Sequence, residues 1–351
     1  RIIIMAFTTI NKPEQYFNTL LYTGNASTNA ITGVGFAPAF SWFKSRSNVN
    51  SQIMFDVLRG TNGISPSGNA INYDSASDGF TSLDSDGFTF NGSGGGGGVN
   101  ASGFTYVGWN WKGGTTSGVS GGTITPLDYS YDATAKISVV RYTGNSTSGA
   151  TVPHGLGVKP AAMWVKKVTG GVDSWAIYNQ AMTATSYLEM DVANGIASNA
   201  GRWNNTEPTT SLFSLGDSST TNGNNNNYIA YIFGEVPGFS KFNRFEGNGN
   251  VNGAFIYTGF APAVVIIKSE GSSENWHMYD NKRSTFNVRD KTLDPDQTAA
   301  EATLSGIDFL SNGFKMRTSA TWGNSTSYNI TYQAFAERPL VSTNGKAATA
   351  V

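Results

Sequence analysis

Gly259-Phe-Ala-Pro262-Ala263-Val-Val-Ile-Ile-Lys268 is the third appearance of one ten-residue pattern. It stands earlier as Gly35-Phe-Ala-Pro38-Ala39-Phe-Ser-Trp-Phe-Lys44 and as Gly157-Val-Lys-Pro160-Ala161-Ala-Met-Trp-Val-Lys166. Gly, Pro, Ala and Lys keep their places while the residues between Ala and Lys are mostly apolar. A short apolar run after Pro, whose missing N–H does no harm at a strand start, reads as a buried β-strand. The closing Lys is read as the point where that strand emerges into water. A period of roughly one hundred residues is too long for a solenoid turn and about the size of one small domain.

Other elements return in the same order around this pattern. Tyr22-Thr-Gly-Asn25, Tyr142-Thr-Gly-Asn145 and Phe245-Glu-Gly-Asn248 precede it, with Gly-to-Gly gaps of 35 − 24 = 11, 157 − 144 = 13 and 259 − 247 = 12. Met54-Phe55-Asp56, Ile177-Tyr178-Asn179 and Met278-Tyr279-Asp280 follow it. Each copy closes on an aromatic run ending at Trp109, Tyr231 or Tyr332, at 109 − 44 = 65, 231 − 166 = 65 and 332 − 268 = 64 residues from the pattern Lys. Strand-like runs at Phe40 to Lys44, Ile137 to Tyr142, Met163 to Lys167, Ala263 to Lys268 and Tyr228 to Phe233 are bounded by turn residues. Asp78-Gly79, Asp86-Gly87 and Asn312-Gly313 are turn dipeptides that tolerate positive φ. The best helical stretch is Asp296 to Leu304, after Pro295.

The expected fold is therefore all-β, with three tandem antiparallel β-sandwich modules of jelly-roll or lectin-like topology. The expected boundaries are an N-terminal segment 1–15, module one at 16–113, a Gly/Ser/Thr linker at 114–135, module two at 136–238, module three at 239–340 and a tail at 341–351.

Composition narrows the chemistry. Charged residues make up 13% of the 351, far below the usual quarter, and Lys plus Arg (23) nearly balances Asp plus Glu (24). No basic field exists to hold nucleic acid or anionic lipid, and no apolar stretch approaches the ~20 residues of a membrane-spanning helix. Absent cysteine excludes disulfides, thiolate nucleophiles and Cys-based zinc sites, and only His154 and His277 are present. Arg1 to Met5 is too short for the apolar region of a signal peptide, and Met5 reads as the translation start. Export by lysis or within a particle is the expectation.

No catalytic, cofactor-binding or metal-binding residue stands out. The glycine run Gly92 to Gly98 has dinucleotide-loop spacing, but a strand-like segment follows it rather than a helix. Asp84/Asp86 and Asp294/Asp296 suit turns, weak calcium binding or, least of all, catalysis. Asn222 to Asn227 reads as a solvated loop, and the Asn-x-Ser/Thr sequons at Asn25, Asn100 and Asn324 are expected from composition. Trp42 with Trp164, and Trp175 with Trp276, correspond between repeats and read as packing residues. Trp203 and Trp322 break the repeat among Asn and Gly, which makes them the candidates for stacking on a carbohydrate, against burial under a loop.

Tyr22 to Asn25, Gly35 to Arg46, Phe55 to Gly60, Tyr106 to Gly113 and the stretch from Ala334 to Leu340 and on through Asn344 and Ala350 resemble a family of tailed-phage virion proteins. Such proteins are found especially in marine phages, and their module is labelled a domain of unknown function. The resemblance implies a non-enzymatic virion protein on the particle exterior, made in the host cytoplasm, without cofactors. Its expected partners are other virion proteins, further copies of itself and host surface glycan. A tail fibre or receptor-binding role is the first expectation and capsid decoration the second. A polysaccharide depolymerase or secreted carbohydrate-binding protein is the alternative.

Overall fold

A computed structural model describes residues 7–68, 79–92, 98–271, 273–342 and 345. The start at Arg1 to Met5, Asp78, most of the glycine run and the ends at Asn344 and Ala350 lie outside them. Among the described residues the first repeat contains β1 (Phe17–Thr23), β2 (Asn29–Thr32), β3 (Pro38–Ser45), β4 (Ile53–Asp56), β5 (Phe80–Asp84), β6 (Gly87–Phe90) and β7 (Thr105–Lys112). The second contains β8 (Asp128–Asp132), β9 (Ile137–Thr143), β10 (Ala150–Pro153), β11 (Ala162–Lys167) and β12 (Ala176–Asn179). It continues with β13 (Ser186–Tyr187), β14 (Ala197–Ser198), β15 (Leu212–Leu215) and β16 (Asn227–Phe233). The third contains β17 (Ser240–Glu246), β18 (Phe255–Tyr257), β19 (Phe260–Ser269), β20 (Trp276–Asp280), β21 (Arg289–Thr292), β22 (Ala302–Leu310), β23 (Gly313–Met316) and β24 (Asn329–Pro339). The chain is all-β, with helix confined to single turns.

Three antiparallel sheets share one strand order: β1-β7-β3-β4, β8-β9-β16-β11-β12 and β17-β24-β19-β20. The extra edge strand β8 takes the last residues of the expected linker and pairs with β9 from Asp128↔Arg141 to Asp132↔Ile137. Smaller sheets, β2-β6-β5, β10-β15 and β18-β23-β22-β21, accompany them. Pro38 and Pro262 of the ten-residue pattern sit at register shifts against β7 and β24. A residue without N–H is tolerated there because the ladder is already interrupted.

The pattern strands are buried on both faces, which is why they read as continuous apolar runs rather than alternating ones. Along β16, Tyr228, Ala230 and Ile232 enter a cluster local to the second repeat, with Phe213 and Leu215 of the small sheet. The alternate residues Ile229, Tyr231 and Phe233 enter a cluster shared by all three repeats. In β3, Phe43 joins Phe80, Phe88 and Phe90 of the first repeat, while Phe40 and Trp42 point to the shared cluster. An aromatic hub forms there. Phe40 lies 4.7 Å from Tyr231, Trp42 meets Trp164 edge-on at 5.9 Å, and Phe335 lies 5.7 Å from Trp111 and 5.5 Å from Phe233. Three tandem sandwich modules were the expectation; the largest buried cluster is shared by all three repeats, beside clusters local to the second and the first.

Hydrogen bonds close the repeats head to tail. Asp56 accepts from Tyr231 Oη at 2.8 Å, Asn179 Nδ2 donates to the Tyr332 carbonyl at 3.5 Å, and Asp280 accepts from Trp109 Nε1 at 3.1 Å. The first repeat thus meets the second, the second the third, and the third the first. A second cycle uses the position facing the pattern Lys. Trp175 Nε1 donates to Ser65 O and Trp276 Nε1 to Glu189 O, both at 2.8 Å, and Gln52 Nε2 donates to Asp294 O.

The pattern lysines do not emerge into water. Lys44, Lys166 and Lys268 are all buried. Lys44 Nζ donates to Asn50 O and to Thr298 O of the third repeat, at 2.7 and 3.0 Å. Lys268 Nζ donates to Glu274 O and to Ala193 O of the second repeat, at 2.7 and 3.2 Å. Lys166 donates to Asp173 O, and the position matching Thr298 and Ala193, residue 69, lies outside the described residues. Burial pulls each ammonium down to about 8, while the surrounding carbonyl oxygens favour the charged form. Lys44 and Lys268 tie loops together across the repeat junctions.

The helix expected at Asp296 to Leu304 is absent. Residues from Ala302 onward form β22, paired with β21 and β23, so sheet pairing overrides local helix propensity.

His154 is fully buried. Its Nδ1 accepts from Leu156 N at 3.2 Å, which leaves the proton on Nε2, 3.3 Å from Thr209 O. Burial lowers its pKa from 6.5 to about 4. A depressed base contributes stability that is complete above pH 6.5 and lost as pH falls through 4, a loss of about 3 kcal/mol. Asp296 acts in the opposite direction: burial raises its pKa to about 6, so stability falls as pH rises through 6. The readout is therefore the difference between wild type and His154→Gln in melting temperature from pH 7 to 4. The wild type is expected to lose its advantage across that range, and a constant difference would refute the assignment.

Candidate binding groove

Neither tryptophan proposed from the sequence offers a stacking face. Trp203 is 1% exposed and meets Tyr178 edge-on at 6.1 Å. It ends a one-turn helix, Ala200–Trp203, capped by the Asn199 side chain accepting from Gly201 N. Trp322 is 8% exposed, with ring centroids 4.3 Å from His277 and 6.2 Å from Tyr279. An added Cβ at Gly306 would lie 2.5 Å from the Trp322 ring, so that glycine makes room for it. Both rings plug the fold beneath short helices, where removing their large apolar area from water outweighs any gain from exposure.

The asparagines dismissed as loop or composition are structural hubs. Asn100, Asn222 and Asn324 are fully buried. Their Oδ1 atoms accept from the backbone N–H of Asn25, Asn145 and Asn248, across separations of 75, 77 and 76 residues. Each preceding glycine is required: a Cβ at Gly24, Gly144 or Gly247 would lie 2.2–2.5 Å from backbone atoms of the hub segment. The near-constant spacing was present in the sequence. The acidic pairs likewise serve local structure. Asp86 accepts from Gly33 N and Gly35 N, Asp84 from Ser82 and Thr89, and Asp296 from Trp276 N.

What breaks the repeat most openly is a loop. The bridge Met278↔Leu293 corresponds to Met54↔Ile64 and Ile177↔Leu188. From the conserved-position acid or amide to the bridge is 293 − 280 = 13 residues in the third repeat, against 64 − 56 = 8 and 188 − 179 = 9. The extra residues carry Phe286, which is 83% exposed, at the rim of a groove of about 660 Å³. Its wall includes Lys282, Arg289, Phe309 and the end of β24, Glu337 and Arg338.

Several contacts set the groove's shape. Asn287 grips the backbone of Phe309, donating to its O at 2.8 Å and accepting from its N at 2.9 Å. Arg289 lies over the Phe309 ring, 5.3 Å from its centroid, and donates to Ser284 O. Burial pulls the Arg289 guanidinium below its ordinary value, opposed by the carboxylates of Glu337, Asp280 and Asp308. Three buried polar atoms on this wall have no hydrogen-bond partner among the described residues: Asn281 Oδ1, Arg289 Nε and Arg338 Nε. Sequence reading missed the site because the bridge that reveals the longer loop is a tertiary contact.

A family model described as a domain of unknown function, DUF7483, matches residues 12–339. The chain belongs to that family. The DUF7483 match takes in all three repeats as one unit, in keeping with a core that none of them owns alone. No curated protein and no solved structure matches this DUF7483 chain.

Proposed function

We propose that this chain is a non-enzymatic structural protein on the exterior of a tailed-phage particle, a tail fibre or receptor-binding component present in several copies. In this reading three sandwich modules, at 16–113, 136–238 and 239–340, stand around a pseudo-threefold axis. The observation that carries it is the closed cycle of Asp56 on Tyr231, Asn179 on Tyr332 and Asp280 on Trp109. A chain that imitates a trimer fits a threefold or pseudo-threefold position in a symmetric assembly. Nearly balanced charge and a surface rich in Asn, Ser and Thr suit broad polar contacts with other virion proteins.

Capsid decoration is the second reading, and one patch favours it. Phe7, Phe255 and Tyr257 are all exposed, and Phe7 and Tyr257 converge on Gly259. A neighbouring subunit covering them would remove a contiguous apolar area from water. The test is to purify particles from the source phage, detect the chain by mass spectrometry and locate it in a particle map. Density at the tail supports the first reading and density on the capsid lattice the second. A chain that accumulates as a monomer and is absent from particles removes both.

A further inference from the structure

We infer that the groove beside Phe286 is a binding site for an acidic saccharide, a chain of sugars bearing carboxylate or sulfate groups. The groove concentrates Lys282, Arg289 and Arg338 against the single carboxylate of Glu337, in a chain whose net charge is −1. No ion pair among the described residues engages Lys282 or Arg338. Arg289 Nε and Arg338 Nε are donors without protein acceptors. Those Nε atoms are themselves closed to solvent, but both side chains are partly exposed in the groove, and an anionic oxygen is the acceptor that matches a guanidinium best.

The aromatic supplies the rest of the argument. Phe286 is the most exposed large apolar side chain among the described residues and stands at the rim of this groove. A sugar ring has an apolar C–H face and a polar edge, and an exposed aromatic beside donors and acceptors recognises both. The volume lies within the range of small-ligand sites, roughly 300–1,000 Å³. The first and second repeats lack the longer loop, so one such site per chain is expected. This inference rests on the loop and its charges and does not depend on the particle role.

The test is calorimetric titration of the purified full chain with tetragalacturonate, a sulfated carrageenan tetrasaccharide, maltotetraose and tetraglutamate. One or both acidic sugars are expected to bind, at least about tenfold more tightly than maltotetraose and tetraglutamate. The two acidic arms distinguish carboxylate from sulfate. Phe286→Ala and Lys282→Gln, both at exposed side chains, are expected to weaken binding about tenfold with unchanged melting temperature. Arg338→Gln should do the same, and 0.5 M salt should weaken binding to the wild type. The inference is overturned if neither acidic sugar binds at millimolar concentration or if maltotetraose binds as well. It is also overturned if tetraglutamate binds as tightly, or if Phe286→Ala and Lys282→Gln both leave binding unchanged.

Discussion

A fragment comprising residues 136–238 alone is expected not to fold. On the sequence this stretch is a complete module, with its own ten-residue pattern and closing aromatic run. In the structure its principal sheet presents Ile137, Val139, Trp164, Trp175, Ile177, Ile229, Tyr231 and Phe233 to the shared cluster. Full burial of such a side chain contributes about 1.5–3 kcal/mol. Losing half of that across the group is on the order of 10 kcal/mol, as much as the whole stability of an ordinary domain, about 5–15 kcal/mol. Its local cluster around Tyr142, Phe213 and Tyr228 remains, but it seals only one face of the sheet. Circular dichroism and proton NMR of the fragment are the measurements. A dispersed spectrum with a sharp cooperative melt would show that the repeats are independent.

The second large effect lies at a junction between the third and first repeats. Asp280 and Arg283 are both inaccessible to solvent and paired at 2.5 Å, and Asp280 also accepts from Trp109. Asp280→Asn leaves the buried Arg283 charge with only its longer contact to Glu301, at 3.4 Å, and about 3–5 kcal/mol of stability is expected to be lost. The second repeat has solved the same position without charge: Asn179 stands where Asp280 does, and the buried Met182 where Arg283 does. The double variant Asp280→Asn, Arg283→Met is therefore expected to regain more than half of the loss. Glu301 keeps its pair with Arg46 at 2.9 Å, but the single Asn oxygen cannot serve both the Lys282 and Arg283 N–H groups and Trp109 Nε1, so part of the loss remains. Denaturant midpoints for the three proteins decide it. A double variant no more stable than the single would mean that the junctions are not equivalent.

Particular residues mark how far the sequence could be read. The strands from Phe40 to Lys44, Ile137 to Tyr142 and Tyr228 to Phe233 were legible because β-branched and aromatic runs between turn residues have few other uses. Trp42 and Trp164 were legible as packing residues because they recur at one place in a repeat. The buried lysines were not. A Lys ending an apolar run has an obvious exit into water, and only carbonyls that the tertiary fold gathers around it, Thr298 and Ala193 from another repeat among them, offset its burial. Trp203 and Trp322 misled for a related reason: irregular spacing marks a departure from the repeat but does not say on which side of the surface the ring falls.

The order of residues by itself determined the all-β class, the threefold repetition and the strand positions, since these follow from local periodicity and turn chemistry. Tertiary structure alone decided that the three repeats share one core and close into a cycle, and that one longer loop opens a charged groove. The physical reason is that a strand buried on both faces has the same local signature whichever partner covers it. Whether Tyr231 meets a neighbour in its own repeat or Asp56 from another is settled only when distant segments compete to exclude water from the same face.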